Sequence, residues 1–196
     1  APPPVRRCNM ANVEDGDLDG PVVDLSCRSL KELPAALRGA QRGGGAVREL
    51  NLAFNALSSL LGVVEACPCL ERLVASHNQL RTLPNFGTLS CLCRLDLSHN
   101  RLADVSPLAA CGALAELWLA SNALELPALL PLAKLGALKD LVLLGNPCLA
   151  ISPSGLAKRA ALLLLPDLAS LDAEPVGAQA RAEAAAFMQA PGAKAA

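Results

Sequence analysis

Tyrosine is absent from this 196-residue chain, phenylalanine occurs three times and tryptophan once, so aromatics make up only 2% of residues. An interior without large rings must be filled by aliphatic side chains and alanine, and 53% of the residues are hydrophobic. That balance suits a narrow stack of thin coils. Long apolar runs are also missing. The longest, Ala160 to Leu165, falls far short of the ~18 residues that a membrane span requires. The opening Ala-Pro-Pro-Pro-Val-Arg-Arg shows no secretory leader pattern, and residues 1–20 are expected to form a mobile arm.

Clustered positive charge is lacking too. Net charge is −1, and no run of five like charges occurs. Direct capture of nucleic acid is therefore not expected, because that affinity comes largely from grouped lysine and arginine. A protein partner that itself holds RNA stays compatible with this charge. There is no Asn-x-Ser/Thr sequon, which favours a reducing intracellular setting. Eight cysteines are present. Cys67-Pro-Cys69 and Cys91-Leu-Cys93 are spaced too closely for a zinc knuckle, so the cysteines are expected to fill leucine slots as small hydrophobes.

What the chain does have is a period. Five segments superimpose on an aliphatic ladder, LxxLxLxxNxL, starting at Val47, Leu70, Leu92, Leu114 and Leu138. The second apolar position runs Leu50, Leu73, Leu95, Leu117, Leu141, in steps of 23, 22, 22 and 24 residues. Asn55, Asn78, Asn100, Asn122 and Asn146 keep the same steps. A fixed period of this size marks a solenoid, and the motif resembles the leucine-rich repeat. The reading is an α/β leucine-rich-repeat solenoid of about six coils. A parallel sheet lines its concave face, and short helices or 3₁₀ turns line the convex one. Alternation sends the ladder leucines inward and their neighbours outward. Each asparagine amide is expected to satisfy backbone groups of adjacent coils. Convex returns are expected at Thr88–Cys93 and Pro107–Ala113. The first coil starts near Val22 and has Arg28 where asparagine recurs elsewhere. Its step from Leu25 to Leu50 reads as 25, lengthened by Gly43–Gly45.

Repeats are placed at 21–150, a C-terminal cap at 151–176 and an alanine-rich helix and tail at 177–196. The stretch from Lys158 to Val176 resembles the cap of intracellular leucine-rich-repeat proteins with 22-residue repeats, commonly YRxxVxxxLPxLxxLDGxxV. Arg159, Leu165-Pro166, Leu168, Leu171-Asp172 and Val176 match; Lys158 replaces the tyrosine and Ala173 the glycine. A helix over Ala160–Leu165 is expected to cover the open end, and a second helix over Ala178–Gln189 either packs on the cap or extends free, ending at Pro191. The subclass implied includes the phosphatase-1 regulatory subunit, the leucine-rich light chain of axonemal dynein and the U2 particle leucine-rich subunit.

Outward strand positions form the candidate protein-binding face, where such proteins bind. They are Asp24 and Ser26; Glu49, Asn51 and Ala53; Arg72, Val74 and Ser76; Arg94, Asp96 and Ser98; Glu116, Trp118 and Ala120; Asp140, Val142 and Leu144. Trp118 is the sharpest of them, since exposed tryptophan is enriched at binding hot spots. Val74, Val142 and Leu144 would extend an apolar track through it. Arg72 and Arg94 against Asp96, Glu116 and Asp140 would orient a partner of mixed charge. His77 and His99 fall at equal repeat positions but lack a third ligand in register, and Asp15-x-Asp17-x-Asp19-Gly20 starts a calcium loop that lacks its closing glutamate.

No catalytic set, metal or cofactor is expected: Gly43–Gly45 lacks the lysine of a phosphate loop, and neither histidine faces a nucleophile motif. The expected function is a non-catalytic scaffold that binds a partner protein in the cytoplasm, ranked first for a ciliary or cytoskeletal assembly. A subunit of a splicing ribonucleoprotein, which would place it in the nucleus, and a phosphatase regulator are the alternatives. No membrane partner is expected. Because no amphipathic helix precedes Val22, the N-terminal edge is expected to be capped by a partner, a second copy or further residues.

Overall fold

A computed structural model describes residues 20–38, 46–150 and 155–189. The expected arm up to Asp19 with its Asp15-x-Asp17-x-Asp19 run, the Gly43–Gly45 loop and Pro191 lie outside the described residues.

Every coil starts with a three-residue strand whose middle side chain is buried and whose flanks are open. These strands are β1 (Val22–Asp24), β2 (Glu49–Asn51), β3 (Arg72–Val74), β4 (Arg94–Asp96), β5 (Glu116–Trp118) and β6 (Asp140–Val142). The period-2 geometry of extended backbone explains this pattern directly. Two further strands, β7 (Ser170–Leu171) and β8 (Glu174–Pro175), continue one eight-stranded sheet in strict chain order. Pairing is parallel from β1 to β7 and antiparallel between β7 and β8. The register aligns Leu50, Leu73, Leu95, Leu117, Leu141 and Leu171 in one inward column. At the first coil the register corrects the sequence reading. Val23, and not Leu25, pairs with Leu50, which makes that step 27 positions.

Below the sheet, buried leucines fill a single continuous core, each worth roughly 2 kcal/mol of apolar burial. The asparagines close the coils. Asn78 Oδ1 accepts from Leu57 N–H at 3.0 Å in the preceding coil, while its amide nitrogen donates to Leu52, Ala75 and Ser76 carbonyls at 2.9, 3.1 and 3.2 Å. Asn55, Asn100, Asn122 and Asn146 repeat the pattern. The residue just before each asparagine takes a left-handed backbone: Phe54, His77, His99, Ser121 and Gly145 all have φ between 53° and 75°.

Convex returns vary with local sequence. Helix α1 (Val63–Ala66) and 3₁₀ segments at Ser106–Ala110 and Leu126–Lys134 serve three coils. Around Thr88 there are only turns, where a short helix was a possibility. Asn85 Oδ1 accepts from Gly87 N–H at 2.9 Å, and the fully buried Phe86 ring fills the interior instead. Cys67 and Cys111 occupy the leucine slot held by Leu89, as expected, and are buried. Cys69, Cys91 and Cys93 depart from that expectation: they precede the strands on the open side and are exposed.

After α2 (Pro147–Ala150), helix α3 (Leu156–Leu164) and α4 (Ala178–Gln189) finish the chain. Helix α3 begins four residues earlier than the expected Ala160 start. Helix α4 packs against the cap. Arg181 donates to the Pro166 and Leu168 carbonyls, Arg159 lies 4.7 Å from the Phe187 ring centroid, and Ala184 is buried. The β7–β8 turn uses left-handed Asp172 (φ 55°) and Ala173 (φ 65°), which explains why glycine is usual at the second of them. Asp172 Oδ1 accepts from Leu143 and Leu144 N–H at 2.7 and 3.1 Å, and Lys158 Nζ stands 3.6 Å from its other oxygen.

Candidate functional site

Sheet register arranges the outward side chains in columns that run across the coils. The first column is Val22, Glu49, Arg72, Arg94, Glu116, Asp140 and Ser170. The second is Asp24, Asn51, Val74, Asp96, Trp118 and Val142. The sequence-predicted face residues that lie within the strands therefore share one side of the sheet. Val22, 61% exposed at the open edge, belongs with them and was not among them. A cavity of about 220 Å³ sits at that end of the face, with Val22, Glu49, Arg72 and Val74 among its lining residues.

The charges do not behave as a free rim. Arg72 Nη1 pairs with Glu49 Oε2 at 3.1 Å, and Arg94 pairs with Glu116. Both are neighbours in the first column, placed about 4.8 Å apart by strand spacing. This hydrogen bond to Glu116 is the main reason that the Arg94 guanidinium holds its proton even more firmly than usual. Flanking cations are engaged outside the columns: Arg48 pairs with Glu71, and Lys139 Nζ donates to the neutral Asp167 carbonyl at 3.3 Å. Asp24 and Asp96 each spend one carboxylate oxygen on the N–H two residues ahead, Ser26 and Ser98, both at 2.9 Å. Asn51 does the same toward Ala53 at 3.0 Å. Asp140 has no ion-pair partner within 4 Å among the described residues.

Trp118 is half-buried, and Arg94 Cζ lies 5.6 Å from its ring centroid. The ring thus lies near an ion-paired guanidinium, and Val142 is the register partner of Trp118 on the next strand. Leu144, two residues further along, is 50% exposed. Trp118, Val142 and Leu144 are apolar neighbours at the outward positions of β5, β6 and the residues just after β6. Val74 does not join them, because Asp96 stands between Val74 and Trp118 in the column. Ala53 and Ser76 are buried rather than displayed.

A second aromatic feature runs along the exits of the strands. Phe54, His77 and His99 stack in succession, ring centroids 4.1 Å apart at both steps, with interplanar angles of 9° and 12°. The equal spacing of the histidines foretold one step, whereas Phe54 was missed, although it occupies the same position before Asn55. Burial, then the nearby His99 charge, lowers the His77 proton affinity, while Asp96 acts in the opposite sense. No group of three or more metal-ligating side chains exists among the described residues. Burial raises the Cys67 and Cys111 thiols to about 11 each, which keeps them protonated and inert near neutrality. No helix among the described residues is long and apolar enough to cross a membrane.

No protein-family profile matches the chain, and no curated protein matches it significantly. Solved structures do. The chain resembles internalin InlF from Listeria monocytogenes at 21% identity and TM-score 0.59, over 75% of this chain but only 39% of that one. It resembles a leucine-rich-repeat protein of Leptospira interrogans at 24% identity and TM-score 0.59, covering 78% and 42%. A chain of the SNF/U2A′ complex from Drosophila melanogaster matches at 24% identity and TM-score 0.58, over 87% of this chain and 83% of that one. Repeat motif, sheet register and structural likeness converge: this chain is a leucine-rich-repeat solenoid.

Proposed function

We propose that this protein is a non-catalytic scaffold that binds a partner protein on the concave face of its sheet. The observation that carries the reading is the half-buried Trp118, steadied by Arg94 and neighbouring Val142 and Leu144. A ring already fixed in place loses little entropy on docking, which is how a rigid sheet converts modest contact area into affinity. Leucine-rich-repeat neighbours support an interaction role in general terms. Trp118→Ala should remove a defined set of proteins from affinity purification of the tagged chain, with Leu130→Ala on the convex side as control. Partners retained by Trp118→Ala and lost by the control would sink the proposal.

A second reading is a subunit of a splicing ribonucleoprotein. The match to a chain of the SNF/U2A′ complex supports it, because that match spans most of both chains. Co-purification with RNA that vanishes on nuclease treatment would favour this reading, and insensitivity to nuclease would remove it. A ciliary or cytoskeletal assembly and phosphatase regulation are proposals that the identity of the partner will separate. Among the described residues the outer edge of β1 is unpaired, and a partner or second copy would add a strand there. Strictly monomeric behaviour at micromolar concentration would eliminate the second-copy form.

A further inference from the structure

The proposed face carries a charge imbalance that the whole chain does not. Its two outward columns hold five carboxylates, Asp24, Glu49, Asp96, Glu116 and Asp140, against two guanidiniums, Arg72 and Arg94. Both guanidiniums are committed to Glu49 and Glu116. The face therefore keeps three carboxylates in excess, whereas the whole chain has a net charge of only −1. Of the cations at the strand entrances, Arg48 is spent on Glu71, whereas Lys139 donates to the neutral Asp167 carbonyl and keeps its charge, so counting it the face still holds two carboxylates in excess. The mixed-charge partner that the sequence suggested does not fit a face whose cations are already paired.

We infer that the partner segment is cationic and apolar together, with a lysine or arginine meeting Asp140 and an aliphatic or aromatic side chain seated on Trp118, Val142 and Leu144. This rests on the concave-face reading above and gives it a chemistry. Asp140, Val142 and Leu144 lie in one line along β6 and just beyond it, each two residues from the next and all directed outward. Two residues of extended chain cover about 7 Å. A complementary segment thus needs its cation and its apolar anchor about that far apart, the spacing of i and i+2 in a strand. Asp140 is the suited carboxylate because it is half-buried between Glu116 and Ser170 in its column and has no ion-pair partner within 4 Å among the described residues. A nucleic acid would meet the same uncompensated carboxylates as repulsion.

The test is selection of a randomised peptide library on the immobilised full chain, followed by affinity measurement on the parent, Asp140→Asn and Trp118→Ala. Asp140→Asn is isosteric at a half-buried position, and circular dichroism would verify the fold of each variant. Enriched peptides should carry lysine or arginine two residues from an apolar side chain. Their affinity should fall about fivefold in Asp140→Asn, as expected for one partly screened ion pair, and further in Trp118→Ala. Enrichment of neutral or acidic peptides, no enrichment at all, or binding indifferent to Asp140→Asn would overturn the inference. Dependence on Trp118 without dependence on Asp140 would overturn this inference alone, whereas indifference to Trp118→Ala would overturn the concave-face reading as well.

Discussion

Arg94 reaches across one strand spacing to lie 5.6 Å from the ring centroid of Trp118 while its guanidinium pairs with Glu116. One side chain thereby fixes the single tryptophan of the chain and neutralises its neighbour. Removing it with Arg94→Ala should cost about 1 kcal/mol of stability, the sum of a weak cation–π contact and a half-exposed ion pair. Emission from Trp118 should shift to longer wavelength as the ring loses its cover. Fluorescence during chemical denaturation reads both effects in one experiment, and an unshifted emission would contradict the geometry.

Asn78 provides a test of the coil closure. Its amide holds one N–H and three carbonyls in place, inside a residue only 8% exposed. Asn78→Ala should destabilise by about 2–4 kcal/mol, since each orphaned buried group costs about 1–3 kcal/mol. Urea denaturation would measure it. A loss below 1 kcal/mol would mean that water replaces the amide.

Ala173 sits in the left-handed region with φ 65°. A side chain there costs about 1–2 kcal/mol, which glycine avoids. Ala173→Gly should therefore raise stability, by somewhat less than that amount because glycine also frees the unfolded chain. An increase in Tm checks this, and a decrease would contradict the stated backbone conformation.

His77 binds its proton less readily in the folded chain than its ordinary value of 6.5 implies, chiefly through burial and then through His99. For a basic group with a lowered folded value, the unfolded chain binds the proton more readily, so stability rises with pH. The penalty is absent well above 6.5, develops as pH falls through that value, and is complete below the folded one. His77→Gln should flatten this part of the stability profile, and an unchanged slope would assign it to another group.

Repeat architecture was open to reading because one column of leucines and one of asparagines recur at nearly constant steps, and solenoid geometry follows from that recurrence. Leu50, Leu73, Leu95, Leu117 and Leu141 lie in register as their spacing implies. The first coil was harder, because Arg28 breaks the asparagine column and the step to the next coil is 27 positions. Without the asparagine, Val23 and Leu25 are equivalent candidates for one slot, and only the pairing with Leu50 decides. Ion pairing on the face was accessible in principle. Once the coils are aligned, Glu49 beside Arg72 and Arg94 beside Glu116 are nearest neighbours. The Phe54–His77–His99 stack was legible only in part. It depends on the left-handed turn before each asparagine, which brings those side chains into a parallel row outside the strands. Exposure of Cys69, Cys91 and Cys93 escaped composition entirely, because cysteine is as frequent inside as a small hydrophobe and only its place before the strand decides.

Site-specific photo-crosslinking in the native cell reads whether the concave face receives a protein partner. A photoreactive residue replaces Ala120 beside Trp118 on the outward face in one version, and Leu130 on the convex side in another. Leu130 is 62% exposed, so its replacement leaves the core untouched. A discrete crosslinked protein is expected from position 120, absent from position 130 and lost when Trp118→Ala is added. Crosslinks that form equally from both positions, or only from position 130, would contradict that expectation.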